Sequence, residues 1–517
     1  MQDFALTLDK LLDHAAKWYP DVEVVTASDD GRGSRRVGYA VLRDRAQRVS
    51  RVLAARGIGQ GDCVATLAWN SQEHLEAWYG IMGMGAVCHT LNPRLPASQL
   101  AWMIARSGAR VLIASADLKD VAHSVARTVA AREPEVILLG GEDALAGSSL
   151  SDLIDATIGD YAWGGFDERS ASGLCFTSGT TGAPKGVTYT HRANYLHTLR
   201  LLQADVLGIT MRDVVMPVVP MFHANAWGLP FACPAVGAKL VMPGRQSDGA
   251  ALAQLIAAEG VTIAAGVPTV WLGVFDHLDR TGTALPSLKR VMVGGAPLPQ
   301  ALADRIALRG IEVQTTWGMT ELSPLGTATP PGAGPRDARS SGRPAVGVDL
   351  RLTDASGVAL ENQRDAEGHL WVRGASVVER YAGEEEPATV EGWFDTGDLA
   401  RIDGDGYIQI TGRSKDLIKS GGEWINPAEI EAIISALPGV VQSAVIGRAD
   451  PKWGERPVLL VELRKDDKTS DEELLGALDG KVASWWIPRE VVRLTEMPLA
   501  PTGKIDKLRL RDQYCRA

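Results

Sequence analysis

The chain of 517 residues is too long for a single hydrophobic core, so about two or three folding units are expected. Its 45% apolar and 22% charged residues are ordinary for a globular protein. The net charge of -10 argues against nucleic acid as the main partner, because binding a phosphate backbone requires a concentrated basic surface. A nucleotide is not excluded, since a small basic pocket can persist in an acidic protein.

The N-terminus and the cysteines indicate a protein of a reducing compartment. Leu8, Leu11, Leu12 and Ala15 recur at helical spacing and predict a surface helix that docks on a core, whereas no secretory signal pattern is present. No apolar run reaches the roughly 20 residues that a membrane helix needs. The five cysteines are scattered and contain no CxxC pair, so neither a zinc site nor a disulfide framework is predicted. We therefore expect a cytoplasmic protein without an integral membrane segment.

Short apolar strands alternate with amphipathic helices through most of the chain, which predicts parallel sheets covered by helices. In chain order, the predicted elements are a helix at 39–56 and strands at 63–69, 110–115, 214–219, 239–242, 262–266 and 290–293. From about 340 to 411, short strands and tight turns predict a β-rich subdomain. After Lys415, a separate α/β unit is predicted, with helices at 427–436 and 471–482 and strands at 440–447, 458–464 and 491–494.

The segment Phe176–His191 is the most informative in the chain. Its core, TSGTTGAPKG at 177–186, combines three glycines, four hydroxyl residues and Lys185, which suits a loop that surrounds phosphate oxygens. The alternative interpretation is a flexible solvent loop. An apolar strand before it and an apparent strand after it favour the phosphate loop. Because Lys185 follows Pro184, the segment does not match GxxxxGK[ST], and a P-loop NTPase is disfavoured.

Four further motifs follow this segment in order. They are TTWGMTE at 315–321, FDTGD at 394–398, GRSKDLIKSGGEWI at 412–425 and PTGKI at 501–505. With these motifs the chain resembles the acyl-adenylate-forming superfamily, which includes acyl-CoA synthetases, peptide-synthetase adenylation domains and firefly luciferase. The resemblance runs from about residue 37 to 510. It implies an N-terminal domain at 1–411, a hinge at 412–415 and a small mobile C-terminal α+β domain at 416–517.

The resemblance implies ATP, Mg²⁺ and coenzyme A as cofactors and assigns binding residues by motif. The loop over the β- and γ-phosphates would comprise Thr177, Ser178, Gly179, Thr180, Thr181, Gly182 and Lys185. Other nucleotide-binding positions would be Gly294, Gly295, Ala296, Pro297, Trp317, Gly318, Asp398 and Arg413. Asp398 would accept the ribose hydroxyls, Thr320 would contact phosphate, and Glu321 would hold Mg²⁺. An Asp in a TGD turn is more often only a turn residue, so the order of the motifs is what favours the site at Asp398.

Catalytic and CoA-binding roles follow from the same resemblance. Lys504 would be the catalytic lysine that neutralises charge at the α-phosphate, and Lys415 would be the hinge residue. His223 would guard the passage of carboxylate and pantetheine, with a buried core histidine as the alternative. The CoA tunnel would be lined by Gly421, Gly422, Glu423 and Trp424. A homodimer is common in the family.

The predicted acyl pocket contains no charged side chain, so we expect an apolar acid and a range of accepted chain lengths. Its walls are predicted from Trp227, Gly228, Phe231, Val267, Pro268 and Trp317–Met319. Segments 317–327, 419–425 and 482–488 look like those of bacterial medium-chain fatty-acyl-CoA ligases and, equally, of methylthiopropanoate–CoA ligases. The resemblance therefore predicts an ATP-dependent acid–CoA ligase that forms acyl-AMP and pyrophosphate and then acyl-CoA and AMP, acting on an apolar, medium-chain fatty acid. A methylthiopropanoate– or arylpropanoate–CoA ligase, an acyl-AMP ligase that loads a carrier protein, and a non-catalytic homologue remain alternatives.

Overall fold

The computed structural model describes residues 1–28, 33–130, 132–140, 149–159, 161–177, 184–334, 337–465, 467–500 and 504–515. Within these ranges the chain folds into four β-sheets with helices packed against them, which confirms the predicted α/β class. No helix in the described ranges is long and apolar enough to cross a membrane.

The first part of the chain alternates strands and helices, as predicted. Its strands are β1 (Glu23–Ala27), β2 (Ser34–Gly38), β3 (Cys63–Leu67), β4 (Val87–Thr90), β5 (Val111–Ser115), β6 (Glu135–Leu139), β7 (Ala171–Phe176) and β8 (Gly186–Thr190). Its helices are α1 (Asp9–Trp18), α2 (Tyr39–Ala54), α3 (Gln72–Gly83), α4 (Ala97–Ser107), α5 (Lys119–Thr128), α6 (Leu150–Asp155) and α7 (His191–Leu201). The predicted docking of α1 is confirmed, because Leu8, Leu12 and Ala15 are fully buried.

The middle of the chain supplies the strands on which the site is built. They are β9 (Val214–Pro217), β10 (Lys239–Met242), β11 (Ile263–Gly266), β12 (Arg290–Val293), β13 (Glu312–Gly318), β14 (Leu325–Ala328) and β15 (Arg343–Pro344). The helices between them are α8 (Leu229–Val236), α9 (Gly249–Glu259), α10 (Pro268–Thr281) and α11 (Gln300–Ala307). The predicted strands at 239–242 and 290–293 match β10 and β12 at both ends.

Strands β1 to β15 form two separate sheets, both covered by helices. A nine-stranded sheet has the order β15-β14-β13-β12-β11-β9-β10-β1-β2, and its strands from β13 to β1 are parallel. A six-stranded sheet has the order β6-β5-β3-β4-β7-β8, with β8 antiparallel to β7. Strands β11 and β12 are buried on both faces, as expected for parallel strands between helix layers.

The β-rich subdomain is an antiparallel sheet, and its apolar cluster also includes residues of β7, β8 and the β13 region. Its strands are β16 (Val348–Thr353), β17 (Ala366–Gly374), β18 (Thr389–Val390), β19 (Trp393–Ile402) and β20 (Ile408–Arg413). Burial alternates along β19 with a period of two, so one face covers the core and the other remains accessible. The register sets Asp398 on β19 opposite Arg413 on β20.

The last part of the chain forms the fourth sheet, which has an apolar cluster of its own. Its elements are β21 (Ile418–Ser420), β22 (Glu423–Ile425), α12 (Pro427–Ser435), β23 (Val440–Asp450), β24 (Gly454–Leu463), α13 (Asp471–Gly476), β25 (Val491–Leu494) and α14 (Lys507–Tyr514). The helix predicted at 471–482 is wrong in its second half. It ends at Gly476, and Gly480 adopts a φ of 69°, because glycine is a poor helix former that readily takes left-handed backbone.

Candidate active site

The candidate site lies at the carboxyl ends of four neighbouring strands. His223 follows β9, Val267 follows β11, Gly294 follows β12, and Glu321 follows β13. Because β9, β11, β12 and β13 are adjacent and parallel, the segments after them meet at one edge of the sheet. Ligands of open α/β sheets bind at this edge. The fold thus brings together four segments that the motifs had identified separately.

The glycines after β12 leave room at this edge. A Cβ on Gly294 would lie 2.4 Å from Thr316 Oγ1 and 3.3 Å from the ring of Trp227. Gly295 is exposed, has a φ of 79°, and a Cβ there would lie 3.4 Å from Val267 Cγ1. The predicted adenine segment, continuing through Ala296 and Pro297, therefore adjoins Trp227 and Val267 of the predicted acyl pocket.

Trp227 lies in a left-handed turn at 224–228. Four successive non-glycine residues, from Ala224 to Trp227, have φ between 44° and 57°, and Gly228 follows at 77°. Left-handed backbone costs an L-residue about 1–2 kcal/mol. Such strain persists only where the surrounding packing imposes it, and it is concentrated at functional sites. The turn is buried, with Trp227 9% exposed.

Asp398 is a buried carboxylate with a donor on each oxygen. It is 2% exposed; Trp317 Nε1 donates to Oδ2 at 2.9 Å, and Arg413 Nε pairs with Oδ1 at 2.7 Å. Burial raises the pKa of Asp398, whereas the charge of Arg413 and the Trp317 hydrogen bond act in the opposite direction. Trp317, predicted among both nucleotide-binding and acyl-pocket residues, thus directly contacts the predicted ribose ligand.

Glu321 is connected to Lys185 through a tyrosine that sequence reasoning missed. The hydroxyl of Tyr381 donates to Glu321 Oε1 at 3.0 Å, and Lys185 Nζ lies 4.7 Å from the centre of the Tyr381 ring. Burial raises the pKa of Glu321, and the Tyr381 hydrogen bond opposes this shift. No local pattern distinguishes Tyr381, because it lies in a connection between β17 and β18 and reaches the site only through tertiary packing.

The ends of the predicted phosphate loop are held together. The Thr177 N–H donates to the Lys185 carbonyl at 2.8 Å, and the Lys185 N–H donates to Thr177 Oγ1 at 3.4 Å. The loop connects β7 with β8, the predicted strand–loop–strand order. The predicted phosphate ligands Ser178, Gly179, Thr180, Thr181 and Gly182 lie outside the described residues, and their roles stay predictions.

Lys504 extends from the last part of the chain into the same site. Its side chain is accessible, yet protein surrounds it closely enough that desolvation, followed by the charge of Arg413, lowers its pKa, while Asp398 and Glu321 raise it. Burial, with the charge of Lys504, lowers the pKa of His223 to about 4, so His223 is neutral at pH 7. These couplings bring together the predicted lysine, magnesium ligand, ribose ligand and gate.

The charges of this cluster suit a polyphosphate. Lys185, Arg413 and Lys504, with Lys415 close enough to influence Asp398, exceed the two carboxylates in number. In the described ranges, no group of three or more His, Cys, Asp and Glu side chains could hold a metal ion. Mg²⁺ does not need such a group, because it binds one or two carboxylates together with substrate phosphates. Glu321 therefore fits the predicted metal.

The predicted CoA-binding residues lie in a hairpin that has no described contact with Asp398 or Glu321. Gly421 and Gly422, with φ of 62° and 94°, form the turn between β21 and β22, and a Cβ on Gly421 would lie 2.7 Å from Trp453. Glu423 is exposed, and Trp424 is 54% exposed. The described contacts of this hairpin are with β24 and the Trp453 region, not with Asp398 or Glu321. The predicted hinge residue, Lys415, lies in a 3₁₀ turn at Ser414–Asp416 between β20 and β21.

Residues of the predicted acyl pocket differ in how deeply they are buried. Phe231 is 1% exposed and stacks on Trp78 at 5.7 Å between ring centres, so it belongs to the core. Met319 is only partly buried. Gly228 lies against His197, a buried residue of α7 that sequence reasoning missed. A histidine on an otherwise ordinary helix carries no local signal of a pocket.

Known proteins match the chain over nearly its whole length. The profile of AMP-binding enzymes matches residues 12–382, and that of the AMP-binding enzyme C-terminal domain matches 429–504. The chain is 42% identical to 3-methylmercaptopropionyl-CoA ligase of Ruegeria lacuscaerulensis, covering 98% of this chain and 97% of that protein. It is 40% identical to medium-chain-fatty-acid–CoA ligase of Ectopseudomonas oleovorans, covering 98% and 96%.

A solved structure shares the whole arrangement. ATP-bound MatB from Rhodopseudomonas palustris has a TM-score of 0.86 at 28% identity and covers 98% of this chain and 99% of that one. The first profile alone spans more than half of the chain, and the motif-based prediction of an AMP-forming acyl-CoA ligase agrees with the names of both curated relatives. The chain therefore belongs to the AMP-binding enzyme family.

Proposed function

We propose that the protein is an ATP-dependent acid–CoA ligase that activates an apolar carboxylic acid of short to medium chain length. The observation that carries the proposal is that Lys504, Asp398 and Glu321 come from three parts of the chain and lie close enough for both carboxylates to act on the Lys504 ammonium. A cation, a ribose acceptor and a magnesium ligand are the groups that adenylation requires. The names of the two curated relatives support the ligase class. One relative is named for a short acid, 3-methylmercaptopropionate, and the other for medium-chain fatty acids, which supports the proposed range of chain lengths.

In the first half-reaction, a carboxylate oxygen of the acid attacks the α-phosphorus of ATP and pyrophosphate leaves. We assign the ribose hydroxyls to Asp398, held by Trp317 and Arg413. The ammonium of Lys504 stabilises charge on the α-phosphate as it develops. Glu321 would hold the magnesium ion, which when bound would neutralise charge on the phosphate oxygens. The product is acyl-AMP.

In the second half-reaction, the CoA thiol attacks the acyl carbon, AMP leaves as the phosphate oxygen departs, and the thiol proton is released. We assign this step to a second arrangement, in which residues 416–517 turn about Lys415 and bring Gly421 and Gly422 to the cleft. The exposure of the hairpin and the involvement of Lys504 in the first cluster support two alternating faces. The neutral imidazole of His223 would border the passage for the thiol.

A CoA-dependent AMP-release screen tests the proposal. Short, medium, long and aryl acids would each be supplied with ATP and Mg²⁺, with and without CoA. We expect rapid AMP release only with CoA, and highest kcat/KM for short or medium apolar acids. Release that requires a phosphopantetheine carrier protein instead of CoA would identify the acyl-AMP ligase alternative. No acyl-AMP formation with any acid would identify a non-catalytic homologue.

A cytoplasmic location is part of the same proposal. It is supported by the five free cysteines of the chain, of which Cys88, Cys175 and Cys233 are buried. Activity in the cytosolic fraction of the source cells, compared with the membrane fraction, measures it directly.

A further inference from the structure

The side chain of Asn70 binds the main chain of a different sheet from its own. Asn70 lies between β3 and α3 and is 3% exposed. Its Nδ2 amide donates to the carbonyls of Pro217 and Val219, both at 2.9 Å, and its Oδ1 accepts from the Met221 N–H at 2.6 Å. Strand β3 belongs to the six-stranded sheet, whereas Pro217 ends β9 of the nine-stranded sheet. One buried amide thus fixes the segment that leaves β9.

This segment leads directly into the candidate site. His223 follows Met221 by two residues, and the left-handed turn at 224–228 comes next. The turn carries Trp227, a predicted wall of the acyl pocket, whose ring lies 3.3 Å from the Cβ position of Gly294. A strained turn keeps its conformation only where the surrounding structure imposes it. The segment that Asn70 fixes is therefore the entry to a turn that needs external support.

Helix α3 also holds the chain where it leaves the turn. The hydroxyl of Tyr79, which is fully buried, donates to the Pro230 carbonyl at 3.1 Å. The ring of Trp78 stacks on Phe231, with 5.7 Å between ring centres. Pro230 and Phe231 belong to α8, which begins directly after the turn, and Asn70 lies two residues before α3 begins. The same short stretch of chain thus holds both ends of the turn.

We propose that Asn70 and Tyr79, together called the α3 clamp, are positioning residues that fix the Trp227 wall of the acid-binding pocket. Neither residue touches the reacting groups; both act through the main chain on either side of the turn at 224–228. Loss of the clamp lets the turn relax and moves the Trp227 ring, so the acid is bound less well. This inference rests on the proposed acid–CoA ligase function and adds residues that support its acid site.

An asparagine suits the first position of the clamp for a chemical reason. The amide supplies two N–H donors and one carbonyl acceptor, which match the two carbonyls and the one N–H of the segment. An aspartate of nearly the same shape could still accept from the Met221 N–H. It would leave the carbonyls of Pro217 and Val219 buried without their donors, which is costly.

The substitution Asn70→Asp tests the clamp. In ATP–pyrophosphate exchange with the best acid of the AMP-release screen, we expect kcat/KM for the acid to fall about 10- to 30-fold, chiefly through KM. A 30-fold loss corresponds to about 2 kcal/mol, the contribution of two neutral hydrogen bonds. The KM for ATP should stay near the wild-type value, because the proposed ribose ligand, Asp398, is held by Trp317 and Arg413 instead.

A milder substitution tests the other end of the clamp. Tyr79→Phe keeps the ring and removes only the hydrogen bond to Pro230, so KM for the acid should rise about fivefold. It decides the question alone if Asn70→Asp fails to fold. The matched control is Gln314→Glu, because Gln314 is 1% exposed and its Nε2 donates to two main-chain carbonyls, of Val206 and Thr329. The control should lower the unfolding temperature but keep the wild-type KM for the acid.

A double-mutant cycle separates positioning from a general loss of stability. If Asn70 acts through the turn, Asn70→Asp should raise KM for the acid much less when Trp227→Ala has already removed the wall. An unchanged KM for the acid in both clamp variants, an equal rise in the control, or additive effects in the cycle would overturn the clamp while leaving the ligase function intact. Failure of the wild-type enzyme to adenylate any acid would overturn the ligase function itself.

Discussion

Removing one indole N–H should weaken the binding of ATP. The substitution Trp317→Phe keeps an aromatic ring but deletes the donor to Asp398 Oδ2, on a carboxylate that is only 2% exposed. A hydrogen bond to a charged group is worth about 1.5–3 kcal/mol. Since about 1.4 kcal/mol corresponds to tenfold, we expect kcat/KM for ATP to fall roughly 10- to 100-fold.

The same variant should show a shifted pH dependence. Burial raises the pKa of Asp398, and the Trp317 hydrogen bond is among the interactions that lower it. Its loss therefore raises the pKa further. Because only the carboxylate accepts both ribose hydroxyls, the acid limb of activity should move to higher pH. ATP–pyrophosphate exchange, measured across pH and ATP concentration, gives both quantities.

Trp371→Phe is the matched control, because Trp371 lies on β17, in the sheet that carries Asp398, and its ring centre is 5.7 Å from the Arg351 guanidinium. It should behave as wild type. Thermal unfolding of both variants separates a binding defect from a folding defect. A Trp317→Phe enzyme with wild-type kcat/KM for ATP and an unshifted acid limb would refute the proposed role of this hydrogen bond.

Three further predictions concern the two half-reactions and stability. Lys504→Ala should slow ATP–pyrophosphate exchange about 10²–10³-fold but leave thioester formation from synthetic acyl-AMP near wild type; equal loss of both would contradict the two-state proposal. Lys415→Pro should do the reverse in single-turnover assays, because proline fixes φ and prevents the turn; equal slowing of both steps would exclude Lys415 as the pivot. Burial raises the pKa of Glu76 from 4.5 to about 7, although the charge of Arg45 opposes this shift. Between these two pH values the native state binds more protons than the unfolded state, so the free energy of unfolding falls by about 3 kcal/mol as the pH rises. Glu76→Gln should remove that slope from the unfolding midpoint measured between pH 4 and 8, and an unchanged slope would exclude Glu76 as its source.

The sequence by itself determined the fold class and the family, and it predicted the residues of the candidate site. Periodicity located β10, β12 and β25 to the residue, because apolar strands between helices have few alternatives. The order of motifs carried the family resemblance, and that resemblance predicted Glu321, Asp398 and Lys504 as site residues. Where a local signal was ambiguous, as in the helix interrupted at Gly476, the prediction was wrong in length.

The tertiary structure alone decided which side chains support these residues. Several hydrogen bonds join residues that are far apart in the sequence. The separation is 81 positions between Trp317 and Asp398, 60 between Tyr381 and Glu321, and 128 between Leu325 and His197. Each contact depends on how separate sheets and helices pack. Local sequence patterns describe which face of an element is apolar, but they do not specify which distant element covers it.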